Sequence, residues 1–118
     1  MDINVYLSGE IHSDWRKEII KLCKKEKLKI TFTGPVTNHN LSDSCGSIIL
    51  GNEDNKFWHD HKSAKINAIR TRNLIENADV LIVKFGEKYK QWNAAYDAGY
   101  ASALGIPIIC IHNKENQH

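Results

Sequence analysis

The residues best suited to chemistry lie between Phe85 and Pro107, in a helix-length segment that joins two apolar runs. Asp97 is the only carboxylate of this segment after Glu87, and helical spacing puts it one turn after Asn93, beside a ridge of Ala and Gly residues. A carboxylate in such surroundings loses part of its hydration, which changes its basicity. Asp97 is therefore a candidate nucleophile or base. The alternative is a solvated helix residue that favours the helix N-terminal dipole.

The elements around Asp97 predict where it lies in the fold. The apolar runs 80–85 and 106–111 are typical of parallel strands, and a single helix between them makes a right-handed unit. In such a unit, the first turns of the helix lie at the carboxyl edge of the sheet, where open α/β folds bind ligands. Trp92, Tyr96 and Tyr100 form an aromatic stripe along this helix.

The rest of the chain alternates strands and helices. The pattern predicts strands at 3–7, 28–33, 80–85 and 106–111. It also predicts three helices: the first is capped by Ser13 or Asp14 and ends near Lys27, the second spans 62–77, and the third ends at Gly105. The run 28–33 alternates apolar and polar residues, as an edge strand does, whereas 80–85 is nearly all apolar and should be central. This order predicts a three-layer α/β sandwich on a parallel sheet.

A long polar segment separates the second strand from the second helix. Residues 34–61 are rich in Asn, Ser, Asp, His and Gly, and a connection of this length is a candidate lid. The triplet His59, Asp60 and His61 consists of residue types that bind metals. No further ligands follow at a recognisable spacing, so we expect a polar loop and no metal. No GxGxxG, no GxxxxGK and no nucleophile-elbow serine is present in the sequence.

Composition limits the classes of function. The apolar content of 42% and the charged content of 25% are ordinary for one domain spanning residues 1–118. The net charge of +2 does not favour nucleic acid or an anionic membrane as a partner. No apolar run approaches the roughly 18 residues of a membrane span, and Cys23, Cys45 and Cys110 are typical of buried, reduced thiols. We expect a soluble, cytoplasmic protein.

Several motifs resemble those of the nucleoside 2-deoxyribosyltransferase superfamily, and within it the small YtoQ-like group. They are VYLSGEI at 5–11, GEIH at 9–12, TGPVTNH at 33–39, INAIRT at 66–71, FGEKYKQWN at 85–93, and the whole of 77–107. The similarity covers nearly the whole chain. It implies a flavodoxin/Rossmann-like parallel sheet of about four or five strands, a nucleoside or nucleotide as small-molecule partner, no cofactor, and a homodimer or larger homo-oligomer.

The resemblance also implies roles for individual residues. The superfamily has an E-x-G-x-A pattern on the corresponding helix, and Asp97, Gly99 and Ala101 fit its spacing, so Asp97 stands where the nucleophile is. Tyr6 matches an aromatic residue that orients the nucleophile. Gly9, followed by Glu10, matches the loop that passes beside the substrate.

The chain departs from the superfamily pattern at three positions. Asp97 is shorter than Glu by one methylene, and Gln91 stands where an Asp often contacts the base. Thr71, next to Arg70, stands where another Asp often holds a sugar hydroxyl. We expect Trp92, with Tyr96 or Tyr6, to stack on the base or shield the site. Asn93 or Gln91 would bind the base by hydrogen bonds, and Arg70 would bind a phosphate or other anion of the substrate.

These residues lead to one principal hypothesis and two alternatives. The principal hypothesis is cleavage of a nucleoside or nucleotide N-glycosidic bond, or (deoxy)ribosyl transfer, with Asp97 as nucleophile in the manner of a retaining glycosidase. A non-catalytic nucleotide or sugar-phosphate binding module is one alternative. The other is an interaction protein whose exposed aromatic residues form an interface.

Overall fold

The computed structural model describes residues 2–35, 56–86 and 92–112, with side chains in 2–35, 64–86 and 92–112. Strands and helices alternate along the described residues. Their bounds are β1 Ile3–Gly9, α1 Trp15–Lys25, β2 Ile30–Thr33, α2 Lys56–Glu76, β3 Val80–Lys84, α3 Trp92–Ala103 and β4 Ile108–Ile111. None of the described helices is both long enough and apolar enough to cross a membrane.

The four strands form one parallel sheet in the order β2-β1-β3-β4. The predicted edge position of β2 and central position of β3 are both confirmed. The chain leaves β1 for β2 on one side, whereas β3 pairs with the other side of β1. This reversal makes a topological switch point at the carboxyl ends of β1 and β3, where doubly wound folds bind their ligands.

The chain divides into two compact units. One consists of Met1–Gly34 and Leu74–His118 and contains the whole sheet with α1, α3 and the last turn of α2. The other is Pro35–Asn73, whose described part is mainly the preceding length of α2.

Side chains that alternate along β1 build the two faces of the sheet. Tyr6 points to one face, where it packs with Leu81, Val83 and the small residues Ala94 and Ala101 of α3. On the other face, a second cluster forms around Trp15 of α1 and the β1 residues Val5 and Leu7. Helices therefore cover both faces of the sheet, and the predicted three-layer α/β architecture is confirmed.

The backbone explains why two strands begin later than the apolar pattern predicts. Lys27 takes a left-handed conformation with φ of 58°, and the Leu28 N–H donates to the carbonyl of Cys23 at 3.0 Å, which ends α1 and delays β2. The Ile106 N–H donates to Ala101 at 2.9 Å, and Pro107 has no N–H to donate. As a result, β4 begins only at Ile108.

Some local predictions were wrong. Asp14 occupies the N-cap of α1, but no side chain caps this helix. Leu22 follows Trp15 and Ile19 at the spacing of one helix face, which predicts burial, yet it is 60% exposed. Cys110 is exposed although it was expected to be buried. Residues 56–61 of the predicted loop 34–61 belong to α2, including the His59–His61 triplet, while 36–55 lie outside the described residues.

Candidate active site

At the switch point, the chain that leaves β1 lies in close contact with the end of β3. Gly9 pairs with Lys84 in the sheet, and the Glu10 N–H donates to the Lys84 carbonyl at 3.0 Å. Gly9 has φ of 108°, and a Cβ at this position would lie 2.1 Å from the Lys84 carbonyl oxygen. Only glycine fits both the conformation and the contact. The strand ends are thereby held together at the edge where a ligand would bind.

Asp97 lies in the second turn of α3 and is only 9% exposed. The hydroxyl of Ser8 donates a hydrogen bond of 2.7 Å to Oδ2 of Asp97, and Ser8 itself is fully buried. Within the described residues, Oδ1 of Asp97 accepts no hydrogen bond. Since Ser8 is the penultimate residue of β1, this contact fixes the carboxylate to the carboxyl edge of the sheet.

Burial and the Ser8 hydroxyl act on Asp97 in opposite directions. Burial raises the pKa of Asp97 above its ordinary value of 3.8, because desolvation penalises the charged form. The hydrogen bond from Ser8 lowers the pKa, because it stabilises the carboxylate. The net shift is upward, so Asp97 is more basic than a solvated aspartate and still has a partner for its charged form.

Two neighbouring residues of α1 hold the end of β1, which carries Ser8, and the start of the loop that follows it. The guanidinium of Arg16 donates to the carbonyls of Leu7 at 3.2 and 3.3 Å, Gly9 at 3.2 Å and Glu10 at 2.6 Å. The indole N–H of Trp15 also donates to the Glu10 carbonyl at 2.6 Å, and the Arg16 guanidinium stacks 4.6 Å from the Trp15 ring centre. Burial lowers the pKa of Arg16, but the ordinary pKa of a guanidinium is so high that the group stays charged.

Glu10 uses its carboxylate within its own loop. It accepts hydrogen bonds from the His12 N–H and the Ser13 hydroxyl. Partial burial acts to raise the pKa of Glu10, but these two hydrogen bonds and the charges of His12 and Lys84 hold it below its ordinary value of 4.5. In this structure, Glu10 shapes the loop that borders the site.

The other predicted site residues differ in their exposure to solvent. Tyr6 is fully buried two residues before Ser8, on the same face of β1. Trp92 is 72% exposed and Asn93 is also exposed, both in the first turn of α3. Arg70 and Thr71 belong to the part of α2 in the second unit, where Arg70 is exposed and Thr71 half-buried, and Gln91 lies outside the described residues.

Sequence reasoning missed Ser8 and Arg16. A signal for Ser8 was present, because strand alternation puts it on the same face as Tyr6, one step nearer the carboxyl end. No comparable signal existed for Arg16, which follows Trp15 on a helix rich in lysine and looks like part of a solvated face. Among the described residues, no three His, Cys, Asp or Glu side chains cluster as a metal site would require.

Comparisons with known proteins show which sequences this chain is similar to. A family model described as nucleoside 2-deoxyribosyltransferase YtoQ matches residues 6–118. The chain is also 50% identical over 118 residues to a protein of Bacillus subtilis (strain 168) named "Uncharacterized protein YtoQ". That alignment covers 100% of this chain and 80% of the relative. The family match includes both Ser8 and Asp97.

Proposed function

This chain belongs to the nucleoside 2-deoxyribosyltransferase YtoQ family, and on that premise we propose that it breaks the N-glycosidic bond of a nucleoside or nucleotide. Asp97 is the nucleophile, and the (deoxy)ribosyl group passes to water or to a second base. The observation that carries this proposal is the buried Asp97 carboxylate, held by Ser8 at the switch point of the sheet. Ligands of doubly wound folds bind at this edge.

The surroundings of Asp97 suit a nucleophile. A carboxylate attacks only in its charged form, and partial desolvation makes that form more reactive. The Ser8 hydrogen bond keeps the charged form accessible, because it opposes the effect of burial on the pKa. Only Oδ2 is used in this bond among the described residues, which leaves Oδ1 for attack.

The proposed reaction has two steps. In the first, Oδ1 of Asp97 forms a bond to the anomeric carbon while the C–N bond breaks through an oxocarbenium-like transition state. The base leaves with the bonding electron pair and takes a proton from water. In the second step, water or the nitrogen of an acceptor base attacks the same carbon, the ester to Asp97 breaks, and the attacking group loses a proton to solvent. The carboxylate is thereby restored.

Gly9 and the first turn of α3 border the proposed substrate position. At Gly9, the space that a side chain would fill is occupied by the Lys84 backbone, so this glycine sets the turn of the β1–α1 loop beside the substrate position. Trp92 is exposed enough to stack on a base, and Asn93 presents an amide from the same helical turn. The roles predicted for Arg70, Thr71 and Gln91, and the homodimer or larger homo-oligomer, stay predictions.

Release of free base is the direct test. The protein is incubated with a panel of ribonucleosides, deoxyribonucleosides and their 5′-monophosphates, with and without a second base, and the products are separated by chromatography. Asp97→Asn preserves the shape of the side chain but removes the nucleophile, so we expect kcat/KM to fall by at least about 10³-fold. Asp14→Asn is the matched control, because it makes the same change at an exposed position of α1. The proposal is wrong if no compound is cleaved, or if Asp97→Asn is as active as the parent.

A binding module is the second candidate. One oxygen of Asp97 is already used by Ser8, and the side chain is shorter than the Glu that the superfamily resemblance implies, so Asp97 would only accept hydrogen bonds. A thermal-shift measurement across the same panel separates the two functions, because a bound ligand raises the melting temperature whether or not it is turned over. Stabilisation without product supports the binding module.

A further inference from the structure

We propose that Ser8 is a positioning residue of this site, whose hydroxyl holds Oδ2 of Asp97 so that Oδ1 faces the anomeric carbon. This inference rests on the proposed function and assigns a role to a residue that the sequence did not single out. The donor is fully buried, and the two oxygens are 2.7 Å apart. A hydrogen bond to a charged acceptor is shorter and stronger than one between neutral groups, so it can fix a side-chain rotamer.

Ser8 is itself well fixed. Its neighbour Gly9 is locked against β3 by the contact with Lys84, and Arg16 binds the carbonyls on both sides of Ser8, those of Leu7 and Gly9. The hydroxyl therefore projects from a rigid strand end and not from a free loop. A rigid donor can set the direction of the Asp97 carboxylate, and a nucleophile displaced by about 1 Å can lose about 10²-fold in rate.

Among the residues that the structure describes, no charged neighbour competes with Ser8 for control of Asp97. The other titratable side chains on α3, on the strands that contact it and on the last turn of α2 are Tyr96, Tyr100, Tyr6 of β1, Lys84 of β3, Cys110 of β4 and Glu76. Within the described residues, the pKa of Asp97 responds to burial and to the Ser8 hydrogen bond only. Removal of the hydroxyl should therefore raise this pKa further, because burial then acts unopposed.

The first variant is Ser8→Ala, which deletes one oxygen. The acidic limb of the kcat/KM profile should move to higher pH, because more of Asp97 is protonated at a given pH. At the pH optimum, kcat should fall about 10- to 100-fold, with a smaller change in KM, because orientation is lost and binding is not. A purely structural Ser8 would lower the melting temperature but leave the pH profile in place.

A matched pair of variants separates the hydroxyl from packing. Ser8→Thr and Ser8→Val add nearly the same volume at a fully buried position, so they strain the fold alike, but only Thr keeps the hydroxyl. Ser8→Thr should retain more activity than Ser8→Val, and the acidic limb of its kcat/KM profile should lie at lower pH. If both variants fail to fold, Ser8→Ala decides alone. Equal behaviour of folded Thr and Val variants would overturn the proposal.

An activity-independent measurement distinguishes this inference from the proposed function. Titration of the Asp97 carboxyl carbon by NMR should give a higher pKa in Ser8→Ala than in the parent. An unchanged pKa refutes the role of Ser8, even if base release is observed. If the parent releases no base, the proposed function fails, while a raised pKa in Ser8→Ala still supports control of Asp97 by Ser8.

Discussion

Replacing Gly9 with alanine should destabilise the protein strongly, because two costs coincide at one position. Gly9 has φ of 108°, a conformation that residues with a Cβ rarely adopt. The added Cβ would lie 2.1 Å from the carbonyl oxygen, 2.9 Å from the carbon and 3.0 Å from the nitrogen of Lys84. All three atoms are backbone atoms of β3, so no side chain can rotate away. The strand ends must move apart by roughly an ångström to restore ordinary contact.

The size of the effect follows from these two costs. A residue in a strained backbone conformation costs about 1–3 kcal/mol, and a buried steric overlap costs about 1–3 kcal/mol. Together they should lower the free energy of unfolding by about 2–6 kcal/mol, a large share of the roughly 5–15 kcal/mol typical of a domain. Urea denaturation followed by circular dichroism measures this change. Base release should fall as well, since the same movement separates Ser8 from Asp97.

Gly99→Ala is the matched control for stability. Gly99 lies within α3, and a Cβ built there meets nothing within 4 Å. Alanine is the better helix former, so this variant should be more stable than the parent by about 0.5–1 kcal/mol. The reasoning is refuted if Gly9→Ala has the same urea midpoint as the parent, or if both alanine variants shift it in the same direction.

Two further predictions concern Arg16 and Asp97. Arg16→Met removes the donor to three backbone carbonyls and should lower the free energy of unfolding by about 2 kcal/mol or more. Arg16→Lys should restore less than half of the lost stability, because an ammonium lacks the planar fork of a guanidinium. Equal urea midpoints for the parent and Arg16→Met would contradict this prediction. Burial raises the folded-state pKa of Asp97 above its ordinary value of 3.8, so the stability it contributes is present below that pH and lost as pH rises through the folded-state pKa. As pH rises from acidic to neutral, the free energy of unfolding of Asp97→Asn should therefore increase relative to that of the parent, as measured by a series of urea denaturations. A difference between the two proteins that does not change with pH would contradict this prediction.

The sequence was sufficient for the architecture and for the burial of Asp97. The continuous apolar run of β3 predicts a central strand, and the alternation in β2 predicts an edge, because burial on one or two faces leaves different patterns. The helical spacing of Asp97 beside small residues predicts partial desolvation, and the side chain is buried. Local pattern was enough in these cases because each residue's environment follows from the element that carries it.

The contacts that organise the site could not be predicted in the same way. Arg16 binds the Gly9 carbonyl at the point where the chain turns with a positive φ, and helical periodicity contains no information about that turn. Ser13 resembles a helix cap in sequence, but its hydroxyl binds Glu10. Both outcomes depend on the conformation of one short loop, which tertiary contact with Lys84 determines.

The Ser8–Asp97 pair is a costly way to join a strand to a helix. Burial of a carboxylate has a desolvation penalty that a single hydroxyl offsets only in part, as the raised pKa of Asp97 shows. Ala94 and Ala101 already attach α3 to the sheet by apolar packing on the same face, so the fold does not need this acid for adhesion. A group that lowers stability at neutral pH and lies at a topological switch point fits a functional site better than a structural one. On this argument, Asp97→Asn should lose activity and gain stability at neutral pH. A variant that lost both activity and stability would indicate a structural role for Asp97.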